Sequence, residues 1–462
     1  MEIKNSNDPP DRVHPRVGLL RITVLGMLVS MLVLLSGCRM AASDREAGGY
    51  VDENAADESL TVQLVAANGA MYGIEHHRMA QRIQGFRQLF PNTDITIRWV
   101  QDYNIMDASH QSKRTSWIRS DTPTDLFTAA KDVPDIVELV PNQMKELYRL
   151  DRIEALNLNR TAVKDDVIAS NDGYVLGVKS KINPMIVYYN KLVFQGLGLE
   201  TPSEEWDLDK LNDTIVRLKA AGETVYIPLN PYTLEWAASL KGGRIAAADG
   251  ITYSGYLDSD ETVQGVEWLA SVGTKYREKI VANIIPPAMP FDLLDGEIAL
   301  AVDYAVVSDP NNYEEISQRD DRFGIVGLPL GTTGINPAQV SGLSIPSQSK
   351  HKEMAMKLLN FLLQDTDALY SDIADYTLQA NMKPFSVPVS QERKALILRA
   401  MKRSVPAILY MHEEAFPMTY FSQWHSPKPL ADIHNGQPIR EALHRYAMEL
   451  EGEWKAVGAE TK

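Results

Sequence analysis

The chain has 462 residues, 44% of them hydrophobic, and its 61 acidic and 46 basic side chains leave a formal net charge of −15. So acidic a balance argues against nucleic acid, and against a flat seat on anionic lipid, as partners. A single cysteine, Cys38, excludes an intrachain disulfide, and the roughly 400 residues beyond the amino-terminal region are too many for one core, so two domains are expected.

Lys4, Arg12, Arg16 and Arg21 precede the uncharged run from Ile22 to Ser36. Spanning about 30 Å of hydrocarbon takes roughly 20 apolar residues, so this shorter run reads as a removable signal. It closes on Leu35-Ser36-Gly37-Cys38, the pattern of a lipobox: an apolar residue, two small residues, then a thiol to be alkylated. Residues 1–37 are therefore expected to be removed, and Cys38 to carry two or three acyl chains, enough for firm anchoring. The long charged lead-in points to the surface of a Gram-positive cell. Residues 38–59, rich in Ala, Gly, Asp and Glu, form a flexible tether.

From Leu60 to Ala67 apolar and polar residues alternate as in a strand, Glu75 to Leu89 repeats apolar residues at helical spacing, and Asp94 to Val100 returns to strand. Strands follow at 133–140, 174–178, 185–189, 224–228, 298–304, 323–328 and 342–346. Helices are expected at 141–148, 208–221, 353–364, 391–403 and 438–457, and one capped by Asp258-Ser259 ends near Lys279. Strands alternating with helices imply a largely parallel sheet covered on both faces, with ligands at the carboxyl ends of its strands.

Constellations that mimic catalytic motifs fall short. His76-His77 are adjacent on a helix and point about 100° apart. His412-Glu413-Glu414 lacks the second histidine a zinc protease needs, Asp258 to Glu261 lacks the later ligands of a calcium loop, and Gly342 to Pro346 ends in proline where a nucleophile elbow needs glycine. No metal or cofactor is expected. A pair of carboxylates acting on a glycosidic bond stays open, since only their separation in space decides it.

Six segments occur in an order that resembles the extracellular solute-binding proteins of carbohydrate ABC importers, family 1 type. They are Val133-Pro134-Asp135-Ile136-Val137-Glu138; Asp172 to Gly177 running on to Tyr188-Tyr189-Asn190-Lys191; Thr201-Pro202 with Trp206; Leu257 to Glu261 before Trp268; Phe291 to Leu300; and Asn435-Gly436 with Glu441-Ala442-Leu443. The resemblance implies the α/β periplasmic-binding-protein fold of class II type, with two discontinuous lobes joined by crossing hinge segments near 179–183, 299–303 and 339–344. Lobe 1 would take residues 60–180 and 303–342, and lobe 2 residues 181–302 and 343–462. It also implies a monomeric, lipid-anchored extracytoplasmic receptor, not an enzyme, that closes on a carbohydrate and delivers it to an ABC permease. A non-sugar solute, a sensor partner and a surface carbohydrate-active enzyme are the alternatives.

Sugars present hydroxyls around a flat ring with apolar C–H faces, so rings and planar amides or carboxylates are sought. By position in the resemblance these are Asn183, Asn230, Tyr232, Trp236, Asp303, Tyr304 and Trp424. Glu138 and Asn142 after the third strand, and Asn68 and Tyr72 after the first, join them as loop residues. Each has a bland counterpart: core for the tryptophans, a turn before Pro184 for Asn183. Trp206, Trp268 and Trp454 are expected to pack on helices, and Trp99 in a strand.

Overall fold

The computed structural model describes residues 58–66, 78–101, 133–158, 166–203, 206–272, 298–305, 322–331, 333–379, 391–408 and 428–460. In chain order these hold β1 (Glu58–Ala66), α1 (Arg78–Gly85), β2 (Thr93–Gln101), β3 (Ile136–Leu139), α2 (Pro141–Arg149), β4 (Val167–Ala169) and the long β5 (Val175–Asn190). Then come α3 (Lys191–Gly196), α4 (Leu208–Ala220), β6 (Val225–Tyr226), α5 (Pro231–Leu240), α6 (Asp260–Val272), β7 (Leu300–Tyr304), β8 (Phe323–Gly327) and β9 (Asn336–Ser344). The chain ends with α7 (Lys352–Leu362), α8 (Thr366–Gln379), α9 (Gln391–Lys402), β10 (Ser404–Pro406), α10 (Lys428–His434) and α11 (Ile439–Glu460). No helix among the described residues is long and apolar enough to cross a membrane.

Alternation builds the first core. Leu60, Val62 and Leu64 of β1 are buried while Thr61 and Gln63 between them are not. On α1 the buried Met79 and Ile83, with Phe86 in the 3-10 turn that follows, face α7, where Phe86 lies edge-on to Phe361 at 5.6 Å. This core also holds Met144 and Leu147 of α2, and it continues through Met354 and Leu358 of α7, Ile373 of α8 and Met401 of α9. A second core gathers Phe194, Leu211, Leu234, Trp236, Val266 and Leu300 with Leu430, Leu443 and Leu450 of the last two helices. The stretch expected in lobe 2, residues 343–462, is thus divided: Ile345 and α7 to α9 pack in the first core, α10 and α11 in the second.

One path of paired strands, β2-β1-β3-β9-β5-β7-β6, joins the two regions. The sheet is mixed, not largely parallel. β1 pairs parallel with β2 and β3, and β6 with β7, but β9 runs antiparallel to β3 and β5, and β5 antiparallel to β7 and β8. The strands expected at 174–178 and 185–189 are one strand from Val175 to Asn190. Lys-Ser-Lys-Ile-Asn-Pro between them breaks the apolar pattern, yet its backbone pairs with β9 from Lys179 opposite Gly342 to Pro184 opposite Ala338. Its carboxyl half then pairs with β7 and β8, so β5 serves both cores: Val178, Ile182 and Ile186 in the first, Met185, Val187 and Tyr189 in the second.

Caps set the helix starts. Ser259 Oγ accepts the N–H of Thr262 at 3.3 Å, so the Asp258-Ser259 stretch is a helix cap. Helix α8 had no counterpart among the expected elements. Its signals are Asp365, which caps Ala368 N–H at 2.9 Å, and the buried Leu369, Tyr370, Ile373 and Ala374 behind it.

Candidate ligand site

Polar side chains concentrate where β5 passes from one core to the other. Its register against β9 breaks between Lys179 and Lys181. Such a bulge re-aims the extra residue, and Ser180 Oγ donates to Glu138 Oε1 on β3 at 2.6 Å, both residues buried. Three positions on, Asn183 stands directly opposite Gln339, and its Nδ2 donates to Gln339 Oε1 at 2.9 Å. Pro184 follows, and its carbonyl accepts the N–H of Ala305 just beyond β7. Asn336 then grips the backbone of Met185 from both sides: Oδ1 accepts its N–H at 3.1 Å and Nδ2 donates to its carbonyl at 2.8 Å. That side-chain amide stands in for a strand partner as β5 leaves β9.

Asp303 lies on β7 opposite Ile186, and its carboxylate accepts the N–H of Tyr304 at 2.7 Å. Burial pushes its pKa up to about 6, against the smaller downward pull of that N–H. Residues directly opposite in an antiparallel pair share a face. Asp303 therefore stands with Ile186 and Tyr188, whereas Asn183 stands with Met185, Val187 and Tyr304. Asn183 and Asp303 thus lie on opposite faces of the ribbon. Tyr304 is buried in the second core, and the Tyr188 hydroxyl lies 3.0 Å and 3.1 Å from the carbonyls of Tyr304 and Ala305, locking the end of β7.

On α2, one residue after Pro141, Asn142 is 7% exposed and its Nδ2 has no hydrogen-bond partner. A buried unmet donor costs about 1–3 kcal/mol, so its presence calls for an acceptor. Asn142 and the Glu138–Ser180 pair flank the end of β3.

Asn230 and Trp236 have structural work. Asn230 caps α5, its Oδ1 accepting the N–H of Thr233 at 3.0 Å while its own N–H meets Thr233 Oγ1. Trp236 is 0% exposed, donates Nε1–H to the carbonyl of Pro329 at 2.9 Å and meets Trp268 edge-on at 5.3 Å. These are the contacts of a core residue, with no ring face left to stack on a sugar, which corrects the expectation for Trp236. Trp206 and Trp268 also pack in or against the second core, and Trp99 packs against the first. Asn68, Tyr72, Trp424, Cys38 and the side chain of Tyr232 lie outside the described residues.

Ser180, Gln339 and Asn336 were not among the expected site residues. The available signal was the polar interruption Lys-Ser-Lys-Ile-Asn within an otherwise apolar strand, and its partner Gln339 at the edge of an expected crossing. Together the groups offer a carboxylate, a hydroxyl and paired amides, suited to hydrogen-bonding a polyhydroxylated solute. Among the described residues no three His, Cys, Asp or Glu side chains are grouped to hold a metal ion.

Comparison with known proteins gives this arrangement a setting. The pattern of the family described as bacterial extracellular solute-binding protein matches residues 86–377. A putative binding protein of Brucella abortus is 22% identical over 208 residues, 42% of this chain and 47% of that protein. The chain thus spans about half the length of the curated relatives it matches. Among solved structures, an ABC substrate-binding protein of Listeria monocytogenes in complex with cycloalternan aligns with a TM-score of 0.58 at 14% identity, covering 86% of this chain and 99% of the other. An extracellular solute-binding protein of Staphylococcus aureus in complex with maltose aligns at 0.56 and 16%, over 86% and 97%. A sugar transporter of Rhizobium etli, in an open conformation, aligns at 0.57 and 16%, over 85% and 99%. At these identities the likeness establishes the two-lobed α/β fold.

Proposed function

The chain belongs to the bacterial extracellular solute-binding proteins, and from that membership we propose that it is a lipid-anchored receptor that captures a carbohydrate, an oligosaccharide, and passes it to an ABC permease. The observation that carries this reading is the cluster of hydrogen-bonding groups at the passage of β5 between the two cores. Ser180 and Asn183 sit on β5, which both regions share, with Glu138 and Gln339 as their partners on β3 and β9 of the first, and Asn142 adds an unmet donor. Ligand binding there stabilises whichever lobe arrangement presents these groups together, and a permease reads that arrangement. Sugars are the ligands named for the aligned Listeria and Staphylococcus proteins, and planar amides and carboxylates are what sugar hydroxyls require. Cys38 would anchor the receptor outside the cytoplasm, where tethering raises its effective concentration at the permease. Capture needs no covalent step from the protein.

A thermal-shift screen of the body without its anchor, residues 39–462, against mono- and oligosaccharides tests the proposal. A ligand at 100 times its Kd adds about 2.7 kcal/mol of stability and raises Tm in proportion. If no saccharide moves Tm, or if one is consumed during the assay, the reading fails. Metabolic labelling with a fatty acid, which a Cys38→Ser variant should abolish, tests the anchor.

A further inference from the structure

Beside Asn142, α2 carries two groups that the carbohydrate-receptor reading does not use. Asn142, Lys145 and Tyr148 are spaced three apart and follow one another along the helix surface. The Nδ2 of Asn142 is buried and unmet. Lys145 is mostly enclosed, and its pKa is lowered by burial alone, with no acid countering it. Tyr148 lies against Tyr174, ring centroids 5.9 Å apart, and Tyr174 is 53% exposed.

The turn of residues 247–252, between Ala246 and Tyr253 of the second core, approaches this face. Asn171 Nδ2 donates to the carbonyl of Asp249 at 2.6 Å, and the Lys145 ammonium lies 3.8 Å from where a Cβ on Gly250 would stand. The face therefore lies where the two cores meet. It offers an amide donor without an acceptor, a cation on which no acid acts, and an exposed ring, while Asp172 and Asp151 act on Tyr148 at its far end.

The chemistry of the missing partner follows from these three groups. A neutral sugar would satisfy Asn142 and stack on Tyr174 but leave the ammonium uncompensated. A small inorganic anion would meet Lys145 and leave the ring unused. A uronic acid has a carboxylate, hydroxyl acceptors and an apolar pyranose face in one unit. In a chain of net charge −15, a largely enclosed lysine without a carboxylate runs against its surroundings. We propose that Asn142, Lys145, Tyr148 and Tyr174 form a subsite for a uronic-acid unit of the bound oligosaccharide. This rests on the carbohydrate-receptor reading and narrows its substrate class.

Titration calorimetry on the mature chain would use trigalacturonate and a β-1,4-glucuronate trimer, each beside its fully methyl-esterified form, with maltotriose as an uncharged control. At least one acid should bind tenfold or more tightly than its ester, with an advantage that shrinks as salt rises. Lys145→Met keeps the apolar stem and should erase that advantage, weakening the acid tenfold or more and the ester far less; Tyr174→Ala should weaken acid and ester alike, several-fold. Equal binding of acid and ester, or equal losses for both in Lys145→Met, overturns the subsite, the latter marking Lys145 as packing. Binding of maltotriose with neither acid overturns the subsite and leaves the receptor reading standing. Failure of every saccharide, here and in the wider screen, removes both.

Discussion

Asp303 and Trp236 show how burial decides what a side chain is for. A carboxyl held at about 6, against about 3.9 in an unfolded chain, binds its proton more readily when the protein is folded. Its contribution to stability is fully present below about pH 4 and is lost as pH rises through 6, where the folded protein must keep a buried charge. Asp303→Asn retains an acceptor for Tyr304 N–H and cannot ionise. It should flatten the dependence of Tm on pH between 4 and 6 and raise Tm by a few degrees at pH 7.5; scanning calorimetry at four pH values would show this, and an unchanged slope would count against it. Trp236→Phe strips the donor from Pro329 and narrows the contact with Trp268. It should cost about 1–3 kcal/mol in urea denaturation while leaving ligand affinity intact; a loss of affinity at constant stability would restore Trp236 to the site. The sequence shows that both residues are present and cannot show which way they face. Asn230 is the same kind of case, since an amide before a proline reads equally as a cap or as a ligand contact.

At the scale of elements, close backbone approach matters more than propensity. A Cβ on Gly265 of α6 would come within 2.1 Å of the carbonyl oxygen of Ala237 on α5. Helix propensity favours Gly265→Ala by about 1 kcal/mol, whereas overpacking opposes it by about 1–3 kcal/mol, so net destabilisation in a denaturant melt identifies contact as the stronger effect. Asn336→Ala removes both side-chain bonds to Met185. It should cost about 2–3 kcal/mol and speed amide exchange at Met185 well beyond that at Val187. The elements legible in the sequence are those with a regular apolar period, such as β1 with Leu60, Val62 and Leu64 and α1 with Met79 and Ile83. The continuity of β5 was not legible, because residues 179–184 owe their strand form to β9 across the sheet and not to their own pattern. Antiparallel pairing of β9 was hidden for the same reason: direction is a property of partners far apart in the chain.

At the scale of the molecule, β5, β7 and β8 each send side chains into both cores, so neither core can lose these strands without opening the other. A single calorimetric transition with equal calorimetric and van't Hoff enthalpies is expected for the ligand-free protein; two resolved endotherms would show the cores to be independent. The two-lobed fold was foreseeable from the order of short motifs, whereas the route of the carboxyl-terminal third, through the first core and then into the second, was not. That route bears on manufacture. Val137 on β3 pairs with Ser344 on β9, roughly two hundred residues later, and such distant closures come late in folding. A chain emerging from the ribosome or threading through a translocation pore cannot complete its first hydrophobic interior until Met401 has followed. Its early portion stays slack for most of the passage, which suits a polypeptide that must cross a narrow channel before it takes shape.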